Sequence, residues 1–210
     1  MRLEVAELRA SRKRLVLAAD ADRRLFERDL HEGAQQHLVA LAVNLQLASA
    51  LADVDPAAKA LLEEMERDVQ QALDETARLA QRIYPMLLDA GGLVTALRSA
   101  AASADVRASI DVAAGASCPP EVARTIYLCC VEALEQAGAG ARATVTVRAE
   151  EGALGFEVVE DTAHSAPAMD RSDVGFDRLR DRVEALGGRL TIRSAPGHGT
   201  SVSGSLPLSR

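Results

Sequence analysis

From about Leu3 to Tyr84 the apolar residues recur with a helical period, and Gly and Pro are absent except for Gly33 and Pro56. Val54-Asp55-Pro56 divides this stretch, with Asp55 as an N-cap and Pro56 as the first helical residue. The second helix carries Leu62, Met65, Val69, Leu73, Leu79 and Ile83, at spacings of three, four and six. The first carries Leu30, Leu38, Leu41, Leu45 and Ala48. It runs to about 50 residues, against roughly 8–20 for a globular helix. Two antiparallel helices bury only part of such stripes, so pairing with a second copy as a four-helix bundle is the economical arrangement. Leu8 and Leu15, seven apart, fit a short parallel coiled-coil lead-in over residues 1–20.

After Pro85 the period changes. Ala90-Gly91-Gly92 marks a hinge, and Leu93–Ala102 reads as a helix. Alternating stretches at Ala108–Val112, Ala143–Val147 and Gly155–Val159 predict strands, with a helix from Pro119 to Ala137 after the first. A helix over Phe176–Leu186 stops at Gly187-Gly188, and strands at Arg189–Arg193 and Thr200–Leu206 follow. The expected architecture is an antiparallel helical hairpin over residues 1–90, then an α+β sandwich over residues 91–210.

Composition narrows the function. Aromatics are 2% of the chain and Trp is absent, so the cores are built from Leu, Val, Ile and Ala. A net charge of −7 without a basic run argues against direct nucleic-acid binding. No apolar run reaches the ~18 residues of a membrane span. No secretory pattern stands at Met1. Cys118, Cys129 and Cys130 form no C-x-x-C pair, which fits a reducing compartment. The expected location is therefore cytoplasmic, for a free chain or for the cytoplasmic part of a longer sensor, without membrane contact. His164 and His198 lack a cluster at zinc spacing and read as loop residues.

The chemistry concentrates in Glu27-Arg28-Asp29-Leu30-His31-Glu32-Gly33-Ala34-Gln35-Gln36. His31 follows the core position Leu30, at the edge of the apolar stripe. Glu32 is adjacent, and Gln36 lies four residues after Glu32, on its face. An imidazole near neutral pH offers one lone pair to a phosphoryl group. A neighbouring carboxylate can hold the ring N–H, and a Gln can position a water for hydrolysis. A plain surface histidine beside a solvated Glu remains the other reading of these residues alone, and it is the reading given to His37.

This stretch resembles the phosphoacceptor helix of one histidine kinase subfamily, E-R-D-L-H-D-G-A-Q-Q-x-L-V-A-L. Ala80-Gln81-Arg82-Ile83-Tyr84-Pro85-Met86-Leu87-Leu88 and Gly92-Leu93-Val94-Thr95-Ala96-Leu97 resemble the subfamily's second helix and domain junction. Gly175 to Val202 is similar to the end of the Bergerat-type ATP-binding fold, G-L-x-G-L-x-E-R-V-x-x-L-G-G-x-L-x-x-x-S-x-P-G-x-G-T-x-V. The resemblance covers the chain from about residue 8 onward. It implies a homodimer whose His31 takes a phosphoryl group from Mg-ATP and passes it to a response-regulator receiver domain. Glu32 stands in place of Asp, and Gln36 matches a phosphatase glutamine. It implies nucleotide contacts at Glu132, Gln136, Asp161, Gly175, Gly197, Gly199 and Thr200, with Glu132 and Gln136 at Mg²⁺.

The nucleotide boxes depart from the family. Gln136 replaces the N-box Asn, Ala163 and Ser165 replace the adenine-box glycines, and Arg178 replaces a further glycine. Arg178 either supplies positive charge or is a solvated helix residue. Gly197-His198-Gly199-Thr200 is a nucleotide turn or a plain one. Three readings follow: an active sensor kinase core; a degenerate kinase acting as phosphatase, phosphorelay acceptor or scaffold; and a coiled-coil interaction protein without phosphotransfer.

Overall fold

The computed structural model describes residues 2–51, 56–83, 85–113, 118–161, 174–195 and 199–208. Contacts divide the chain into two compact units, Ala19–Pro85 and Met86–Arg210 with Met1–Ala18.

The first unit is a helical hairpin. From Ala19 onward it comprises the end of α1 (Arg2–Leu30), a π-helical turn (His31–Gln35) and α2 (Gln36–Leu51), and α3 (Pro56–Ile83) returns along the turn and α2. Pro56 opens α3, where its missing N–H costs nothing; Asp55, the expected cap, lies outside the described residues. Leu38, Ala42, Leu45 and Ser49 turn inward from α2, and Leu62, Glu66, Val69, Leu73, Thr76 and Ala80 from α3. These spacings of three and four keep one face of each helix together. Ser49 Oγ donates to Glu66 Oε1 across the hairpin at 3.0 Å.

The inward stripe differs from the expected one. Leu41 is 43% exposed, Met65 41% and Leu79 58%. Two helices can cover only one side of each other, and α2 is apolar on more than one side. Val39, Leu41, Val43 and Leu47 on α2, with Leu61, Met65 and Leu79 on α3, are left on the outside of the single chain. Leu8 and Leu15 on α1 are exposed as well.

The second unit is built on a five-stranded sheet in the order β1-β2-β3-β5-β4. Its strands are β1 (Arg107–Val112), β2 (Arg142–Glu150), β3 (Ala153–Asp161), β4 (Arg189–Ala195) and β5 (Gly199–Pro207). β1 runs parallel to β2, and the remaining pairs are antiparallel. The helices are α4 (Met86–Ser103), α5 (Pro120–Ala137) and α6 (Val174–Ala185). Helix α4 is broken at Gly92, at φ 73° and ψ 178°, a conformation open mainly to glycine. Regular helix therefore resumes at Leu93, where the sequence predicts it.

Strand alternation sorts the sheet's two faces. Val145, Val147, Leu154, Phe156, Val158, Val202 and Leu206 are buried in a core shared with Leu97, Ile126, Leu134, Phe176 and Val183 of the helices. Thr144, Arg148 and Glu157, on alternate positions, are exposed. Helices α5 and α6 are also tied by a buried polar link. Thr125, fully buried, donates its Oγ1 proton to the Glu121 carbonyl at 2.7 Å and accepts from Arg182 Nε at 2.8 Å. Cys129 and Cys130 are buried on α5, and burial pushes the Cys129 thiol up to about 12 and the Cys130 thiol well above its ordinary value. Among the described residues no helix is long and apolar enough to cross a membrane.

Candidate functional site

Two groups of expected site residues fall in the two units. In the hairpin, His31 and Glu32 open the π turn and Gln36 begins α2, exposed. The His31 and Glu32 side chains lie outside the described structure. The helix continues through the turn, because Leu30 (φ −65°, ψ −42°) and Gln36 (φ −62°, ψ −38°) are both helical. The Gly33 carbonyl accepts from the Gln36 backbone N–H and from His37 Nδ1, the latter at 2.7 Å. Sequence reasoning missed this turn. Gly33 was its one local sign: a glycine in a helix interior weakens the α ladder by about 1 kcal/mol relative to Ala.

In the second unit, three residues from two motifs meet. Glu132 and Gln136 stand one turn apart on α5, and Gln136 Nε2 donates to Glu132 Oε1 at 3.0 Å. The same carboxylate rests against Gly175 in the first turn of α6. A Cβ built on Gly175 would collide with Glu132 Oε1 and come within 2.6 Å of its Cδ. The glycine there is a matter of close approach, and it lets a negative group sit by the positive end of a helix.

Nearby, Gln136 and Thr200 line a cavity of about 10 Å³ with Ala133, Ala137, Ala143, Val158, Glu160, Phe176 and Val202. That is close to the smallest volume that holds one water. Glu160, 5% exposed, accepts from the Thr200 backbone N–H at 3.3 Å.

Glu160 is the residue that sequence reasoning missed, and alternation along β3 could have found it. Phe156, Val158 and Glu160 face the helices, so the neighbouring Asp161 falls on the opposite face. Asp161 is exposed there, opposite Arg142 in the β2–β3 ladder. The carboxylate at the cavity is thus Glu160, one residue before the expected adenine anchor. Gly199 opens β5 at φ 73°, beside Thr200. Gly197, Ala163, His164, Ser165 and His198 lie outside the described residues. Arg178 is exposed on α6, in keeping with a solvated helix residue.

Comparison with known proteins bears on the whole chain. Residues 22–88 match the histidine kinase family HisKA_3. The kinase/phosphatase DegS of Brevibacillus brevis is 24% identical over 98% of this chain and 56% of its own length. The kinase/phosphatase UhpB of Salmonella typhimurium is 28% identical over 97% of this chain and 42% of its own. The sensor histidine kinase MctS of Rhizobium johnstonii is 27% identical over 99% and 48%. The chain thus spans about half the length of these relatives. In fold it is similar to the histidine kinase domain of a blue-light activated kinase from Erythrobacter litoralis. The TM-score is 0.50 at 17% identity, covering 82% of this chain and 94% of that one. Residues 22–88 thus carry the histidine kinase family match, and along nearly its full length the chain is similar to two-component sensor histidine kinases, with a fold like that of a histidine kinase domain.

Proposed function

We propose that His31 is the phosphoacceptor of this core, charged from Mg-ATP held by the sheet unit and discharged onto an aspartate of a response-regulator receiver domain. The observation that carries the reading is the turn within the family-matched hairpin, where His31 and Gln36 stand at the two ends of an irregular helical step. An imidazole nitrogen of His31 attacks the γ-phosphorus. The bond to the bridging oxygen breaks, ADP leaves with the electron pair, and the ring sheds its N–H proton. Glu32 is the neighbouring base, and Gln36 orients a water in the reverse, phosphatase direction.

Glu132, Gln136, Gly175, Gly199 and Thr200 are nucleotide contacts in this reading, with Gly197, which lies outside the described residues. Asp161 is the adenine anchor in this reading, and its neighbour Glu160 lines the cavity beside Thr200. Glu132 and Gln136 offer two oxygen donors one turn apart. That suits Mg²⁺, which commonly takes one or two protein oxygens and completes its shell with phosphates and water. When bound, the ion would neutralise phosphate charge.

The exposed apolar residues of α2 and α3 support a homodimeric four-helix bundle, with residues 1–90 as the dimerising half and 91–210 as the nucleotide half. A cytoplasmic setting goes with this role. The name kinase/phosphatase borne by two relatives is consistent with both directions of transfer.

A second reading, a phosphatase, relay acceptor or scaffold that no longer loads itself from ATP, is favoured by the residues that depart from the family's nucleotide boxes, Gln136, Ala163, Ser165 and Arg178.

One experiment separates the two. The chain and His31→Gln are incubated with γ-labelled ATP and Mg²⁺. Acid-labile label on the wild type alone is the expected result. No label, with no shift in melting temperature on adding nucleotide, rejects self-loading. Gln36-dependent dephosphorylation of a receiver charged by another donor would then favour the second reading.

A further inference from the structure

The turn that holds His31 is built partly from a side chain to which the sequence assigns no task. The Gly33 carbonyl takes two donors, the Gln36 N–H and His37 Nδ1. A carbonyl oxygen only accepts, so the neutral His37 ring carries its proton on Nδ1 and leaves Nε2 unprotonated. Unconstrained imidazole side chains in water favour the other tautomer, so the contact selects a minority form. His37 is exposed. No packing of the ring is needed to account for its orientation; the carbonyl is what holds it.

The turn alters which residues stand near one another. In a regular α-helix, positions five apart differ by about 140° around the axis. A π ladder links i to i+5 instead, and such single turns are frequent at functional sites. His31 and Gln36 are five apart. Sequence spacing alone sets Gln36 over Glu32; the π turn draws it round toward the side of His31. Nothing lies within 4 Å of a Cβ built on Gly33, so side-chain crowding at that position is not what forces the irregular turn.

We propose that His37 is a positioning residue: its Nδ1–H clasp on the Gly33 carbonyl holds the π turn, and the turn brings position 36 round toward position 31 on the helix. This rests on the reading of His31 as phosphoacceptor and Gln36 as the residue that orients water. Without the clasp, the helix relaxes toward a regular α ladder and Gln36 swings away.

The test uses the full chain with His37→Ala and His37→Asn. Asparagine places an amide N–H close to where Nδ1–H stands, so it is the rescuing variant. The first readout is the tautomer, from long-range ¹H–¹⁵N spectra of histidine-labelled protein, with His37→Ala assigning the signal. The expected result is an Nδ1–H ring at His37. The second is dephosphorylation of a phosphorylated receiver domain, with Gln36→Ala as the baseline.

His37→Ala is expected to lower the Gln36-dependent rate about three- to tenfold, the population change that one ordinary hydrogen bond sustains. The loss is greater for dephosphorylation than for labelling of His31, and His37→Asn recovers most of it. An Nε2–H ring at His37 overturns the proposal alone. So does a His37→Ala rate equal to wild type, or an equal loss in both variants. A wild type whose dephosphorylation ignores Gln36 overturns the reading of the site and the proposal with it.

Discussion

Replacing Gly175 by alanine should change sign with the residue at position 132. The added methyl falls on the Glu132 carboxylate, 2.6 Å from Cδ and 3.2 Å from Oε2. Protein Cβ atoms do not approach that closely, so the carboxylate must leave; it can, being the end of a flexible side chain. Leaving forfeits its place by the first turn of α6, worth about 0.3–1 kcal/mol, and the bond from Gln136, worth about 0.5–1.5 kcal/mol. Against this, Gly→Ala in a helical conformation stabilises by about 0.4–1 kcal/mol through the unfolded chain.

Gly175→Ala should therefore destabilise the wild type by roughly 0.5–1.5 kcal/mol, and should stabilise Glu132→Ala by roughly 0.5 kcal/mol. Urea unfolding of the four proteins measures both. The chain has no Trp and two Tyr, so a Tyr84→Phe background leaves Tyr127, buried on α5, to report on this unit. Equal effects of Gly175→Ala in both backgrounds would show that the carboxylate does not occupy this space, and would refute the convergence of Glu132, Gln136 and Gly175.

Three further outcomes are expected. Thr125→Val keeps the buried volume but removes the acceptor of Arg182 Nε; a loss of about 1.5–3 kcal/mol in urea unfolding is expected, as for a hydrogen bond to a charged group, and a loss under about 0.5 kcal/mol would reject the link. The raised thiols of Cys129 and Cys130 make stability fall at alkaline pH: the unfolded chain releases these protons near the ordinary thiol value while the folded chain retains them. The slope sets in above about pH 9, at up to about 1.4 kcal/mol per thiol per pH unit, and Cys129→Ala with Cys130→Ala should flatten it. Leu41→Glu puts a charge on the exposed apolar side of α2; if α2 forms the proposed dimer, light scattering should show mass falling from dimer to monomer, and an unchanged mass would remove this face from that interface.

The strands and helices were legible because each carried a local period. Phe176–Leu186 and Arg189–Arg193 fall within a residue or two of α6 and β4. The facing of the hairpin was only half legible. Leu41, Met65 and Leu79 are apolar and correctly spaced, yet they lie outside, because periodicity does not say which of two apolar sides meets the neighbouring helix. On β3, motif order pointed to Asp161 as a site residue, and the pleat also sets its neighbour Glu160 at the cavity beside Thr200. A one-residue step reverses the face of a strand. The π turn left almost no trace in sequence, since it depends on how the Gly33 carbonyl is shared rather than on any residue pattern.

The ends of the sheet bear on the dimer. Among the described residues the sheet ends on β1 and β4, whose outer positions carry Arg107 and Asp111 on one side and Arg189 and Arg193 on the other, all exposed. A bundle of two chains would tether two such sheets at an effective concentration in the millimolar range. At that crowding, bare strand edges tend to join into one continuous sheet. In the proposed dimer, charged edges would keep the two sheets from joining.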